Sequence, residues 1–178
     1  MKKRLILTGL IGLGFSLMLG GGLFLLTRAS QQVGAAPVGA QDGRRLVDFE
    51  LPDLNGEVHS LTELSGSPAV INFWATWCAP CEMEMPLLQS YSQEYPQVKV
   101  IGVNSGESAD VVGPFLEKYD ITFPVWLDFD LEVTEQLRII GLPATYFIDL
   151  NGNIQATHLG QLTPALLDQY LLRLGVEP

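Results

Sequence analysis

Pro68-Ala69-Val70-Ile71-Asn72-Phe73-Trp74-Ala75-Thr76-Trp77-Cys78-Ala79-Pro80-Cys81 decides how this chain is read. The apolar run from Ala69 to Ala75 predicts a buried strand. The residues after it predict a turn into a helix, with Pro80 early in that helix, where its missing N–H costs little. Cys78 and Cys81 are the only cysteines in the 178 residues. Two thiols at this spacing on a first helical turn can close a small disulfide ring, and the helix dipole favours the thiolate of the first. A thiol so placed is suited to exchange.

Other uses of two close cysteines fit less well. A structural disulfide normally closes a longer loop, because so short a ring removes little entropy from the unfolded chain. A zinc site needs four ligands, and the histidines on offer are His59 and His158, far apart in sequence. Haem attachment needs His directly after the second cysteine, where Glu82 stands. Met83 and Met85 beside the dithiol raise Cu(I), whose soft ligands they would be, but helix packing accounts for both. No metal and no cofactor is called for.

Before the strand, Leu51-Pro52-Asp53-Leu54-Asn55-Gly56-Glu57-Val58-His59-Ser60-Leu61 sets Asn-Gly between two short alternating stretches and predicts an opening β-hairpin. After the cysteines a helix is expected from about Ala79 to Tyr95, interrupted by Pro86. Then follow a strand at Val98–Asn104, a helix at about Ala109–Tyr119, a short strand at Pro124–Leu127 and a helix at about Leu131–Arg138. A second hairpin, Ala144–Asp149 with Ile154–Leu159, precedes a closing helix capped by Thr163-Pro164.

This order, β-α-β followed by β-β-α with C-x-x-C at the strand-to-helix turn, predicts an α/β thioredoxin-like fold. Its central mixed sheet is flanked by helices, with an N-terminal β-hairpin and an inserted helix-strand segment. Phe73-Trp74-Ala75-Thr76-Trp77-Cys78-Ala79-Pro80-Cys81 with Glu84 and Pro86, Gly102-Val103-Asn104 with Glu107, and Gly141-Leu142-Pro143-Ala144-Thr145 resemble the TlpA/ResA-like membrane-anchored thiol-disulfide oxidoreductases. The resemblance covers about residues 45 to 175.

By position, Cys78 at the exposed helix start is the attacking thiol and Cys81, one turn deeper, the resolving one. Glu84 shares the helix face of Cys81, and the resemblance implies that it tunes the thiols. Asn72 stands where thioredoxins carry a buried Asp, so the acid-base duty must move elsewhere. The resemblance makes Glu107 a weaker acidic candidate and Pro143 a cis proline facing the cysteines. Trp77, Pro80 and Pro143 are the expected substrate-facing residues. Peroxide reduction is disfavoured, since that family's peroxidatic cysteine sits in a Thr-x-x-Cys frame. Thiol oxidation, copper assembly and plain partner binding are the alternatives to disulfide reduction.

Residues 1–29 read as a membrane anchor: Lys2, Lys3 and Arg4 precede an uncharged run from Leu5 to Leu26, long enough to span about 30 Å as a helix. The flanking positive charge places the rest of the chain beyond the membrane. Cleavage near Gly34-Ala35-Ala36 or Val38-Gly39-Ala40 would instead release a soluble form. Residues 30–44 read as a flexible tether and 45–178 as the domain. From residue 31 onward, six Lys and Arg against 20 Asp and Glu leave a formal charge of −14, which disfavours nucleic acid as a partner. The resemblance implies protein partners instead: disulfides or thiols of exported proteins or apocytochromes, and a membrane thiol-electron carrier.

Overall fold

The computed structural model describes residues 43–177. The expected anchor over 1–29 and nearly all of the tether lie outside the described residues. Among the described residues no helix is long and apolar enough to cross a membrane. Ordered pairing already starts at Gly43, whose N–H donates to the Ile154 carbonyl, two residues before the expected domain boundary.

Strands β1 (Glu50–Pro52) and β2 (Val58–Ser60) form the expected hairpin. Five strands make the main sheet: β3 (Ala69–Trp74), β4 (Lys99–Ser105), β5 (Val125–Asp128), β6 (Ala144–Ile148) and β7 (Ile154–Leu159). Their order is β5-β4-β3-β6-β7. The β3–β4 and β4–β5 pairs are parallel, and β3–β6 and β6–β7 antiparallel. Helices α1 (Ala79–Glu94), α2 (Ala109–Lys118), α3 (Glu132–Gln136) and α4 (Pro164–Arg173) complete the thioredoxin-like fold. The segment α2–β5 supplies the expected helix-strand insertion.

Both hairpin turns carry the same tetrapeptide, Asp53-Leu54-Asn55-Gly56 and Asp149-Leu150-Asn151-Gly152. In each, the Asp Oδ1 accepts two backbone N–H groups, those of Asn55 and Glu57 at 2.8 and 2.9 Å and those of Asn151 and Asn153 at 2.9 Å each. The glycine takes a positive φ of 84° or 83°, which its missing Cβ permits.

Central strand β3 is buried along its whole length, and its alternation splits the core in two. Val70 and Trp74 face a cluster with Met85 and Leu88 of α1, Val112 of α2, and Leu167 and Leu171 of α4. Ile71 and Phe73 face the other cluster, with Val133 and Leu137 and the N-terminal Leu46, Phe49 and Leu51. Helix α1 runs from Ala79 to Glu94, close to the expected bounds, with Pro86 inside it. Pro86 is exposed, so its ring meets solvent rather than packed side chains, and water can satisfy the carbonyl it frees.

Candidate functional site

The end of β3 delivers the chain to the N-terminus of α1, where Cys78 is the N-cap and is bonded to Cys81. The Cys81 N–H donates to Cys78 Sγ at 3.3 Å, so the sulfur takes the place of a capping oxygen. Cys81 is fully buried, and Cys78 is 5% exposed rather than standing open at the edge as the sequence suggested. In the disulfide form the second sulfur and the neighbouring apolar side chains close around it.

Positions 81, 84, 85 and 88 recur at helical spacing and form the inner face of α1. Glu84 therefore points into the core, one turn beyond Cys81, with no exposure. Its Oε1 accepts from Asn72 Nδ2 at 2.7 Å and its Oε2 from the Leu162 N–H at 2.7 Å. Asn72 Nδ2 also donates to Thr145 Oγ1 at 2.9 Å. Burial pushes the Glu84 carboxyl up from 4.5 to about 7, against the Leu162 and Asn72 donors, which pull it down. A carboxyl poised there can take or give a proton near neutral pH.

Glu107 lies in the loop after β4. Its Oε2 accepts from the Thr76 N–H at 2.7 Å and from Asn104 Nδ2 at 2.8 Å, and its Oε1 from the Thr76 hydroxyl at 2.5 Å. Both oxygens are thus engaged in tying the loop before Trp77-Cys78 to the end of β4. Trp77 is 71% exposed beside the disulfide, while Pro80 is half-buried. The Leu142-Pro143 peptide is cis, as expected. Pro143 is buried, its carbonyl accepts from the Gly160 N–H at 2.8 Å, and the next residue, Ala144, pairs with Phe73. It therefore sits at the end of the sheet where β3 leads to Cys78. Met85 packs in the core, but Met83 is 60% exposed, so packing explains only one of the two methionines.

Thr145, Thr76, Asn104 and the Leu162 N–H belong to this site and were not singled out from the sequence. Asn72 carried a signal, as an amide in an otherwise apolar strand. The Leu162 donor has none, since a backbone N–H leaves no mark on the residue type.

A C-x-x-C disulfide capping a helix beside a buried carboxyl, on this sheet, defines a thioredoxin-fold dithiol oxidoreductase. The chain belongs to the AhpC/TSA family, whose sequence profile matches residues 43–157, and within it to the ResA-like thiol-disulfide oxidoreductases. It is similar to the thioredoxin-like protein YneN of Bacillus subtilis (strain 168), 37% identical over 75% of this chain and 81% of that one. It is also similar to the thiol-disulfide oxidoreductase ResA of Oceanobacillus iheyensis, 40% identical over 70% and 68% of the two chains. Among solved structures, a thiol:disulfide interchange protein DsbE from Chlorobium tepidum superimposes with a TM-score of 0.69, at 30% identity over 75% and 98% of the chains. The protein is an enzyme of thiol-disulfide exchange, acting on protein thiols and disulfides.

Proposed function

We propose that this enzyme reduces disulfides of exported proteins, cytochrome c precursors among them, on the far side of the membrane to which residues 1–29 anchor it. Electrons come from a membrane thiol carrier. The supports are the ResA-like relatives, the uncharged N-terminal run, and one observation of the site that carries the chemistry: a buried carboxyl near neutrality one turn from the dithiol.

The Cys78 thiolate attacks one sulfur of the substrate disulfide, forming a mixed disulfide and releasing the other sulfur as a thiolate. Glu84 takes the Cys81 proton, and the Cys81 thiolate attacks Cys78 Sγ. The Cys78–Cys81 bond closes, the second substrate sulfur leaves, and two electrons have passed to the substrate. Trp77 and Pro80, next to the cysteines in sequence, and the cis Pro143 are the residues assigned here to the incoming segment. Glu107 holds the Thr76 loop that carries Trp77 and Cys78, a positioning role in place of acid-base support.

Copper assembly finds little support here, because Met85 is in the core and Met83 points to solvent, so they do not converge. The test is to express Cys81→Ser in intact cells and identify what is disulfide-bonded to Cys78. Capture of an exported cysteine protein is the expected outcome. No adduct, or a dithiol potential as oxidising as about −120 mV, would point instead to a binding module or an oxidase.

A further inference from the structure

Glu82 stands four residues after Cys78, the helix N-cap, and donates its N–H to the Cys78 carbonyl at 3.0 Å, so its own backbone lies one turn into the helix that Cys78 opens. Helical side chains lean toward the N-terminus. An untethered Glu82 carboxylate would therefore lie over the turn that carries Cys78 Sγ and oppose ionisation of the thiol. In the structure that carboxylate is held by groups at the end of α2. The Tyr119 hydroxyl hydrogen bonds to Glu82 Oε1, and Lys118 Nζ lies 3.5 Å from the same oxygen and 2.6 Å from the Tyr119 hydroxyl.

Tyr119 is itself fixed in place. Its ring packs on Phe115, with centroids 4.7 Å apart, and Phe115 packs on Trp74 at 4.9 Å, at the end of the strand that leads to the dithiol. The remaining acidic groups around the active turn are already engaged. Glu84 is bonded to Asn72 and the Leu162 N–H, and Glu107 to Thr76 and Asn104.

From this arrangement we infer that Tyr119, assisted by Lys118, is a positioning residue for the dithiol: it holds the Glu82 charge off Cys78 and so keeps the Cys78 thiolate available near neutral pH. The inference rests on Cys78 being the attacking thiol. It also gives the inserted α2 a task, that of carrying a clamp to the first turn of the active-site helix.

The test follows the pH dependence of Cys78 alkylation by iodoacetamide in the reduced protein, with each cysteine read separately by mass spectrometry. Tyr119→Phe keeps the ring and removes only the hydroxyl. It is expected to raise the Cys78 pKa and slow labelling at pH 7 about threefold, the size of one unit charge released a few ångströms away at high dielectric. The change shrinks in about 1 M salt, as an exposed charge effect must. It disappears in the Glu82→Gln background, where no charge remains to be held. Lys118→Met shifts the profile in the same direction and Lys118→Arg restores it. A Tyr119→Phe profile equal to wild type, or an equal shift with and without Glu82, overturns the inference. Preferential labelling of Cys81 in the wild-type protein would overturn the thiol assignment itself, and that result is read without any Tyr119 variant.

Discussion

Asn72 Nδ2 donates to Glu84 Oε1 at 2.7 Å, joining central strand β3 to the active-site helix inside the core. This chain has an amide on the strand and the acid on the helix. The carboxyl thereby comes to lie on the helix face of Cys81, and the amide, which carries no charge of its own, steadies it. One buried ionisable group then serves where two would compete, since adjacent carboxyls cannot both ionise at low cost.

Stability of the oxidised protein should fall as pH rises from about 4.5 to about 7. The Glu84 carboxyl is raised in the fold, so folding favours its neutral form: the contribution is fully present below the unfolded-state value and is lost as pH passes the folded value near 7. A displacement of this size corresponds to about 3 kcal/mol. Glu84→Gln should remove that fall, its amide able to accept from Leu162 and to donate to a reoriented Asn72. Urea denaturation at pH 5 and pH 8 measures it, and an equal loss of stability in both proteins would refute the assignment.

Asn72→Ala removes the donor that pulls the Glu84 carboxyl down, together with a hydrogen bond to Thr145. The carboxyl should then titrate above its present value near 7, and the variant should lose about 2 kcal/mol from unpaired buried groups. In the pH-stability profile the descending limb should move to higher pH. A limb that stays in place would mean that the Asn72 bond does not govern the proton.

Gly102, in the Gly102-Val103-Asn104 segment, is required by space rather than by backbone angle. A Cβ there would stand 2.9 Å from the Trp74 indole nitrogen and 3.2 and 3.3 Å from Phe123 and Val125. Trp74 is fully buried, and a close-packed interior resists such a shift. Gly102→Ala should cost about 1–3 kcal/mol by overpacking. Thermal or urea denaturation gives the value, and a neutral substitution would show that Trp74 can shift.

The local pattern of residues made much of this legible. The apolar run from Ala69 marked β3, the spacing of Cys81 and Glu84 put both on one face, and Asn-Gly marked both hairpin turns. What escaped is what distance in sequence conceals. Glu84 meets Leu162 across 78 positions, Asn72 meets Thr145 across 73, and Glu107 meets Thr76 across 31. Pro86 lies inside the helix on its exposed face, where the loss of one backbone donor does not end α1.

The last expectation separates two jobs for Glu107. An acid-base residue must exchange protons with the reacting thiols, whereas a positioning residue needs only to keep its partners in place. Both Glu107 oxygens are taken by Thr76 and Asn104, so the geometry favours the second. Glu107→Gln keeps one acceptor for these donors but turns an NH2 toward the other, and should slow disulfide reduction several-fold while costing about 1–2 kcal/mol of stability. Because the Thr76 loop carries Trp77 and Cys78, the loss should fall on the rate at every pH. The shape of the pH-rate profile should stay that of the wild type, while Glu84→Gln should change it by removing the group near 7. Measuring insulin-disulfide reduction from pH 5 to pH 9 for both variants decides between the roles. A displaced limb in the Glu107→Gln profile would return that carboxylate to acid-base work.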